Sequence, residues 1–157
     1  MRILFAKELL KYAKKDKDIV VVTFDLGYKM WDGFSKLPGQ FYNVGASEQA
    51  GIGIAVGLAL SGKKVFCYSM TTFLIYRPFE FIRFYINREK IPIRLIASGR
   101  DKDYKELGFS HCCEDAREVL KIFNNIKTFW PNSLEEIPLL VKEMVTNNNP
   151  YYINLRR

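Results

Sequence analysis

The sequence predicts an α/β fold, namely a three-layer, doubly wound, mostly parallel sheet of about six strands. Short apolar, β-branched runs alternate with segments of helical periodicity, and no linker or internal repeat divides the chain. With 157 residues, 48% of them hydrophobic, the chain can bury one substantial core. We therefore expect a single domain over residues 1–157.

Helices and strands are predicted to alternate along the chain. The opening helix, residues 3–15, has apolar side chains near helical spacing. Residues 19–24 form a short, continuous, β-branched run that is typical of a buried strand. The last helix is expected to begin at Ser133 with a capping box, in which Ser133 and Glu136 satisfy each other's free backbone donors. The other predicted strands are 41–43, 65–68, 93–97, 126–129 and 151–155, and the other predicted helices are 47–61, 74–87 and 115–123.

Charge and cysteine content argue against several classes of function. The net charge of +7 is dispersed without a recognition motif, which favours a solvated surface or docking to an acidic partner subunit over nucleic-acid binding. Cys67, Cys112 and Cys113 make an odd set that is typical of a reducing compartment. His111 and the two adjacent cysteines lack the ligand spacing of zinc sites, so we expect no metal in this chain. Since neither a membrane span nor a signal peptide is recognisable, a cytoplasmic location is expected.

The segments that follow predicted strands are the expected place for a ligand. In doubly wound sheets, ligands bind outside the carboxyl ends of the strands. The segments concerned are rich in polar residues and glycine, and they are residues 25–30, 45–49, 69–76 and 98–111.

Glu48 is the acidic residue in the most distinctive of these segments. A strand leads into a turn at Gly45, Ser47 is a plausible helix N-cap, and Glu48 then falls in the first helical turn. The helix that follows is rich in glycine, which costs about 1 kcal/mol per interior position and suggests very close packing. From the residues alone, an ordinary first-turn acidic residue on a tightly packed helix is the favoured interpretation.

Residues 41–62 resemble a block found in transketolases and related thiamine-diphosphate enzymes. That block reads Asn-Val-Gly-x-x-Glu-Gln and continues into a Gly/Ala-rich helix, as Asn43, Gly45 and Glu48 do here. In the family, the glutamate hydrogen-bonds a ring nitrogen of the cofactor's aminopyrimidine. The resemblance therefore implies that Glu48 is catalytic, that Gly45 lies beside the cofactor, and that the chain has the thiamine-diphosphate-binding fold.

Residues 73–83 resemble a second block of the same family, in which aromatic side chains form the pocket for the pyrimidine ring. Phe73 and Tyr76 match its first two aromatic residues and, three positions apart, would share one helix face. The resemblance also implies a cofactor-binding role for Phe79 and a substrate-facing role for Arg77. Two further aromatic residues of this block, Phe81 and Phe84, are expected to lie in the core.

Two shorter matches extend the resemblance to about residues 3–156. Asp25 occupies the family's strand-end Asp-Leu position beside the cofactor or the substrate entrance, and an Asx turn that caps the strand explains it equally well. His111, the only histidine of the chain, matches a histidine that faces the substrate in the family. The resemblance thus implies a catalytic and substrate-binding role for His111.

The sequence departs from the family pattern in two ways. It contains no Gly-Asp-Gly…Asn motif, which in the family holds the divalent metal and the cofactor's phosphates. Leu107 stands where sugar-binding relatives often carry an aspartate, which puts the usual sugar-phosphate specificity in doubt. We therefore expect a separate partner subunit that holds the diphosphate of thiamine diphosphate and Mg²⁺ or Ca²⁺, in an assembly with two of each chain.

The resemblance implies ketol transfer between sugar-type substrates and leaves two alternatives open. One is a decarboxylating enzyme similar to deoxyxylulose-phosphate synthase or a 2-oxoacid dehydrogenase. The other is a degenerate, non-catalytic structural subunit. The presence of Glu48 and Phe73 argues against the second, whereas the altered loop at residues 100–107 argues mildly for it.

Overall fold

Six parallel strands form one sheet in the order β2-β1-β3-β4-β6-β5 in the computed structural model, which describes residues 1–157. Every neighbouring pair is parallel, as βα units require. The strands are β1 (Ile19–Thr23), β2 (Phe41–Asn43), β3 (Lys64–Met70), β4 (Arg94–Ser98), β5 (Lys127–Phe129) and β6 (Tyr151–Leu155).

Helices cover both faces of the sheet and give the predicted three layers. Val22 in β1 packs in the core on one face, beneath α2 and α3, whereas Val21 packs on the other face against α1 and α6. This two-sided burial explains why the strands are continuous apolar runs. The helices are α1 (Arg2–Ala13), α2 (Glu48–Leu60), α3 (Thr71–Tyr76), α4 (Phe79–Phe81), α5 (Ala116–Leu120) and α6 (Glu136–Thr146).

The single helix predicted over residues 74–87 is wrong. The segment is divided into α3, α4 and a π-helix over Ile82–Arg88. Pro78 lies one residue beyond Arg77, the C-cap of α3, and proline has no N–H to continue a helical hydrogen-bond ladder. Two 3₁₀ turns, Lys105–Leu107 and Phe109–His111, complete the helical segments.

The last helix also differs from its prediction. It begins at Glu136 and not at Ser133. Glu136 Oε1 accepts hydrogen bonds from the backbone nitrogen atoms of Asn132 and Ser133, at 2.8 and 2.9 Å. The Ser133 hydroxyl makes no return hydrogen bond to a backbone N–H of the helix, so only the glutamate half of the capping box forms.

Close packing between α2 and β1 explains one of the glycines in the Gly/Ala-rich helix. A Cβ atom on Gly51 would lie 2.2 Å from Phe24 and 2.9 Å from Val44. Glycine at position 51 therefore allows the start of α2 to lie directly on the end of β1, which places Glu48 at the carboxyl edge of the sheet.

Candidate active site

Asn43 ties together the ends of β1 and β2 and so positions the start of α2. Its side-chain oxygen accepts the backbone N–H groups of Asp25 at 2.9 Å and of Gly45 at 3.1 Å. Gly45 has φ +71°, a left-handed conformation that favours glycine. Ser47 is the N-cap residue, as predicted, but its hydroxyl donates to the Val44 carbonyl at 2.7 Å and does not cap the helix. The chain turns sharply here and enters α2 at Glu48.

The Glu48 carboxylate is buried, with both oxygens hydrogen-bonded. The side chain of Glu48 is 1% exposed. The Ser69 hydroxyl, at the end of β3, donates to Oε1 at 3.0 Å, and Arg77 Nη1 donates to Oε2 at 2.6 Å. A buried carboxylate needs such partners, because an uncompensated charge inside a protein is strongly destabilising.

Phe73 presents an aromatic face next to this ion pair. It projects from α3 and is half-buried. The guanidinium carbon of Arg77 lies 3.9 Å from the centroid of the Phe73 ring, which is a stacking distance. The His111 ring approaches Phe73 edge-on at 5.1 Å, and its Nδ1 lies 3.1 Å from the Ser110 hydroxyl. The structure thus places Glu48, Arg77, Phe73 and His111 in one chain of contacts.

An open cavity of about 740 Å³ lies beside Glu48. This volume lies within the range of small-molecule and cofactor sites. Its lining residues are Ala46, Ser47, Glu48, Gln49, Ala50, Arg77 and Phe81. The cavity therefore has the size, the buried carboxylate and the apolar surfaces that a flat, hydrogen-bonding heterocycle needs.

The aromatic residues of the second block do not all lie where the sequence predicted. Phe81 lines the cavity as well as packing against the core, and Phe84 is exposed, so the prediction of a core role for Phe84 is wrong. Phe79 packs against Phe123 in the core, 5.1 Å between centroids, and does not line the cavity. Tyr76, Phe73 and His111 do not line it either.

Tyr76 and Asp25 lie at the same edge of the sheet but outside the cavity of Glu48. Partial burial and the nearby Asp115 carboxylate raise the pKa of the Tyr76 phenol well above its usual range. Asp25 lines a separate cavity of about 300 Å³ and has φ +57°. The Asx turn at this place is made by Asn43 and not by Asp25.

The structure has neither a cluster of metal-ligating side chains nor a helix able to cross a membrane. No group of three or more His, Cys, Asp or Glu side chains is placed to hold a metal ion. None of the helices combines the length and the apolar character that crossing a membrane requires.

Sequence reasoning missed three contributors to the site. Ser69 is a serine inside a buried strand, and its only sequence signal is its position at the end of β3. Phe81 was indistinguishable from a core aromatic residue because it also packs against the core. Asn43 was identified only as part of a motif, although its side chain holds the turn before Glu48.

Comparisons with known proteins identify similar chains. The model of the transketolase pyrimidine-binding domain matches residues 1–157. One subunit of the apulose-4-phosphate transketolase of Phocaeicola vulgatus is 32% identical over 155 residues, which cover 98% of this chain and 50% of that protein. The 1-deoxy-D-xylulose-5-phosphate synthase of Malacoplasma penetrans is 26% identical over 151 residues, or 95% of this chain and 24% of that enzyme.

A solved structure described as a split-gene transketolase, an inactive beta4 tetramer, superposes with a TM-score of 0.86. It is 27% identical, and the match covers 99% of this chain and 50% of that one. This chain therefore spans about half the length of that structure and of the Phocaeicola vulgatus protein.

Proposed function

The chain belongs to the transketolase pyrimidine-binding domain family, and from this premise we propose that it is part of a split, thiamine-diphosphate-dependent transketolase. In this proposal it supplies the catalytic glutamate and the aminopyrimidine pocket for two-carbon ketol transfer between sugar-type substrates. The observation that carries the proposal is the buried Glu48 carboxylate, which lines a cofactor-sized cavity and is linked to the Phe73 ring through Arg77.

The residues present fit an aminopyrimidine. Glu48 offers a buried carboxylate that can exchange a proton with a ring nitrogen, and general acid/base catalysis of this kind contributes about 10²–10⁴-fold. Phe81 offers an aromatic surface in the cavity, Phe73 offers the ring face that Arg77 covers, and Ser69 holds one Glu48 oxygen in place. When bound, thiamine diphosphate supplies the carbanion chemistry that no side chain can provide.

His111 is proposed to face the substrate. Its ring packs edge-on against Phe73, so it lies close to the reacting centre of a cofactor held against that aromatic face. An imidazole can donate or accept a proton near neutral pH, which suits the handling of sugar hydroxyls. Asp25, in its separate cavity, is proposed to lie at the entrance to the site.

A second polypeptide is proposed to complete the site. Two relatives, one described as a transketolase subunit and the other as a split-gene transketolase, support this arrangement. The partner would carry the diphosphate-binding domain and the Mg²⁺ or Ca²⁺ ion, with two copies of each chain in the assembly.

Decarboxylation of a 2-oxo acid is the second candidate reaction. The similarity to 1-deoxy-D-xylulose-5-phosphate synthase favours it, because that relative matches 95% of this chain. Both reactions use the same pyrimidine pocket, so Glu48 and Phe73 would have the same roles in either.

The test is an activity assay on the chain co-purified with a diphosphate-domain subunit, in the presence of thiamine diphosphate and Mg²⁺. Ketol transfer from a ketose phosphate to an aldose acceptor, with no carbon dioxide released from pyruvate, supports the proposal. Carbon dioxide release from pyruvate without ketol transfer would favour the second candidate. A complex that binds the cofactor but catalyses neither reaction would indicate a structural subunit.

A further inference from the structure

We propose that Arg77 occupies the place of the aminopyrimidine in the cofactor-free chain, so that the cofactor binds by displacing this guanidinium from Glu48 and Phe73. This inference rests on the proposed function, since it concerns the same pocket. It changes the role of Arg77 from a residue that faces the substrate to one that occupies the cofactor pocket until the cofactor arrives.

The guanidinium makes both of the contacts that an aminopyrimidine would make. It is flat, and it lies 3.9 Å from the centroid of the Phe73 ring, in the position of a stacked heterocycle. It also donates an N–H group to Glu48 Oε2 at 2.6 Å, as a protonated ring nitrogen would. One planar group thus contacts the carboxylate and the aromatic face together.

The two contacts of Arg77 occupy the ring face and the carboxylate oxygen that one stacked, hydrogen-bonding heterocycle would use together. Glu48 Oε1 accepts the Ser69 hydroxyl, and Oε2 accepts Arg77. A separation of 3.9 Å between the guanidinium and the Phe73 ring is van der Waals contact, so no ring fits between them. An aminopyrimidine can therefore stack on this face of Phe73 and donate to Oε2 from the same side only after Arg77 has left.

Arg77 is the partner that can leave. Ser69 is fully buried at the end of β3, and its backbone is held in the sheet. The Arg77 side chain is 45% exposed and borders the open cavity, so it can move into solvent where its charge is hydrated. It lies in the short break between α3 and α4, outside the regular hydrogen bonding of either helix.

The contact between Arg77 and Glu48 should favour the cofactor-free chain and oppose cofactor binding. It stabilises the cofactor-free chain, because it neutralises the buried Glu48 carboxylate. It weakens cofactor binding, because only the fraction of molecules with Arg77 displaced can bind. Removal of the guanidinium should therefore tighten binding, whereas removal of an ordinary ligand-binding arginine should weaken it.

The experiment compares Arg77→Met with the wild type for two ligands. The first is the isolated pyrimidine half of the cofactor, 4-amino-5-hydroxymethyl-2-methylpyrimidine, titrated into the free chain and followed by NMR. The second is thiamine diphosphate with Mg²⁺, titrated calorimetrically into the complex with the diphosphate-domain subunit. We expect roughly 5- to 20-fold lower dissociation constants for Arg77→Met in both titrations.

Arg83→Met is the matched control. Arg83 also has a guanidinium near an aromatic ring, 5.6 Å from the centroid of Phe84, but it lines a different cavity and pairs with no carboxylate. Its substitution should leave both dissociation constants unchanged. Arg77→Lys keeps the charge and loses the planar stack, so it should tighten binding by a smaller factor. It replaces Arg77→Met in both titrations if that variant does not fold.

Three outcomes would overturn the inference. Equal binding by the wild type and the Arg77 variants would show that the guanidinium does not compete, and weaker binding by the variants would show that Arg77 holds the cofactor. In both cases the proposed function would stand, because the wild type binds. Absence of thiamine diphosphate binding by every form of the complex would instead contradict the proposed function itself.

Discussion

A buried hydrogen bond from the Ser69 hydroxyl to Glu48 Oε1 links the end of β3 to the start of α2. Ser69 is 0% exposed, and its hydroxyl lies 3.0 Å from Glu48 Oε1. Without this donor, a buried carboxylate oxygen would have no partner in the chain. Loss of one partner of a buried hydrogen bond typically costs about 1–3 kcal/mol.

The substitution Ser69→Ala is therefore expected to lower the free energy of unfolding of the free chain by about 1–3 kcal/mol. Urea unfolding followed by circular dichroism measures this change. Thr72→Val provides the contrast, because the Thr72 hydroxyl is buried and has no hydrogen-bond partner. Its removal should leave stability unchanged or raise it by about 1 kcal/mol. Equal losses from both substitutions would contradict the role of the Ser69 hydroxyl.

The thiols should differ sharply in reactivity. Burial raises the pKa of the Cys113 thiol to about 11, and Cys67 is completely buried. At pH 8 only about 0.1% of Cys113 is thiolate, and this fraction rises only as the pH approaches 11. Iodoacetamide at pH 8 should thus alkylate the partly exposed Cys112 alone, with one adduct per chain by mass spectrometry. Rapid alkylation of Cys113 in the folded chain would contradict this packing.

The sequence could place Glu48 at the start of a helix but could not predict its contacts with Ser69 and Arg77. The turn at Gly45 and the N-cap position of Ser47 are local signals, and they placed Glu48 in the first helical turn. Ser69 and Arg77 are 21 and 29 residues away, and their contacts exist only because β3 and α3 pack beside α2. Contacts across elements leave no pattern in a single sequence.

At the scale of elements, α2 shows two glycines with different reasons for their presence. Gly51 is in close contact with Phe24, whereas a Cβ atom on Gly57 would have no neighbour within 4 Å. Both lie in the interior of the same helix. Substitutions at these two positions can therefore distinguish the effect of close packing from the intrinsic cost of glycine in a helix.

The substitution Gly51→Ala should destabilise the chain by about 1–3 kcal/mol, because the new methyl group overlaps a core aromatic ring. The substitution Gly57→Ala should stabilise it by about 0.5–1 kcal/mol, because alanine has the higher helix propensity and open space around it. Thermal unfolding of both variants measures the difference. A shift of the same sign for both would contradict the packing of α2 on β1.

Strands were easier to predict than helices, for physical reasons. Buried parallel strands are short apolar runs, and those at 41–43 and 151–155 have the predicted bounds. The helix predicted over 74–87 failed because Pro78 outweighs the apolar periodicity around it. The start of α6 was misplaced because Glu136 alone caps the preceding backbone.

At the scale of the whole molecule, the parallel sheet brings chemically useful residues to one edge. The end of β1 carries Asp25, the end of β2 leads to Glu48, and the end of β3 leads to Phe73. This convergence was predictable, since parallel strands all end on the same side. The division of that edge into two cavities, which separates Asp25 from Glu48, depends on loop conformation and was not predictable.

The central claim is that Glu48 acts as the acid/base group of a thiamine-diphosphate site. The most direct test is the initial rate of ketol transfer by the complex with the diphosphate-domain subunit, compared between the wild type and Glu48→Gln. Glutamine keeps the size and can still accept the Ser69 hydrogen bond, but it cannot exchange the proton. Glu80→Gln, at an exposed acidic residue of α4, is the matched control.

We predict that Glu48→Gln lowers this rate by about 10²–10⁴-fold without changing the circular dichroism spectrum, and that Glu80→Gln leaves it unchanged. A Glu48→Gln complex that transfers the two-carbon unit within a few-fold of the wild-type rate would contradict the catalytic role of Glu48.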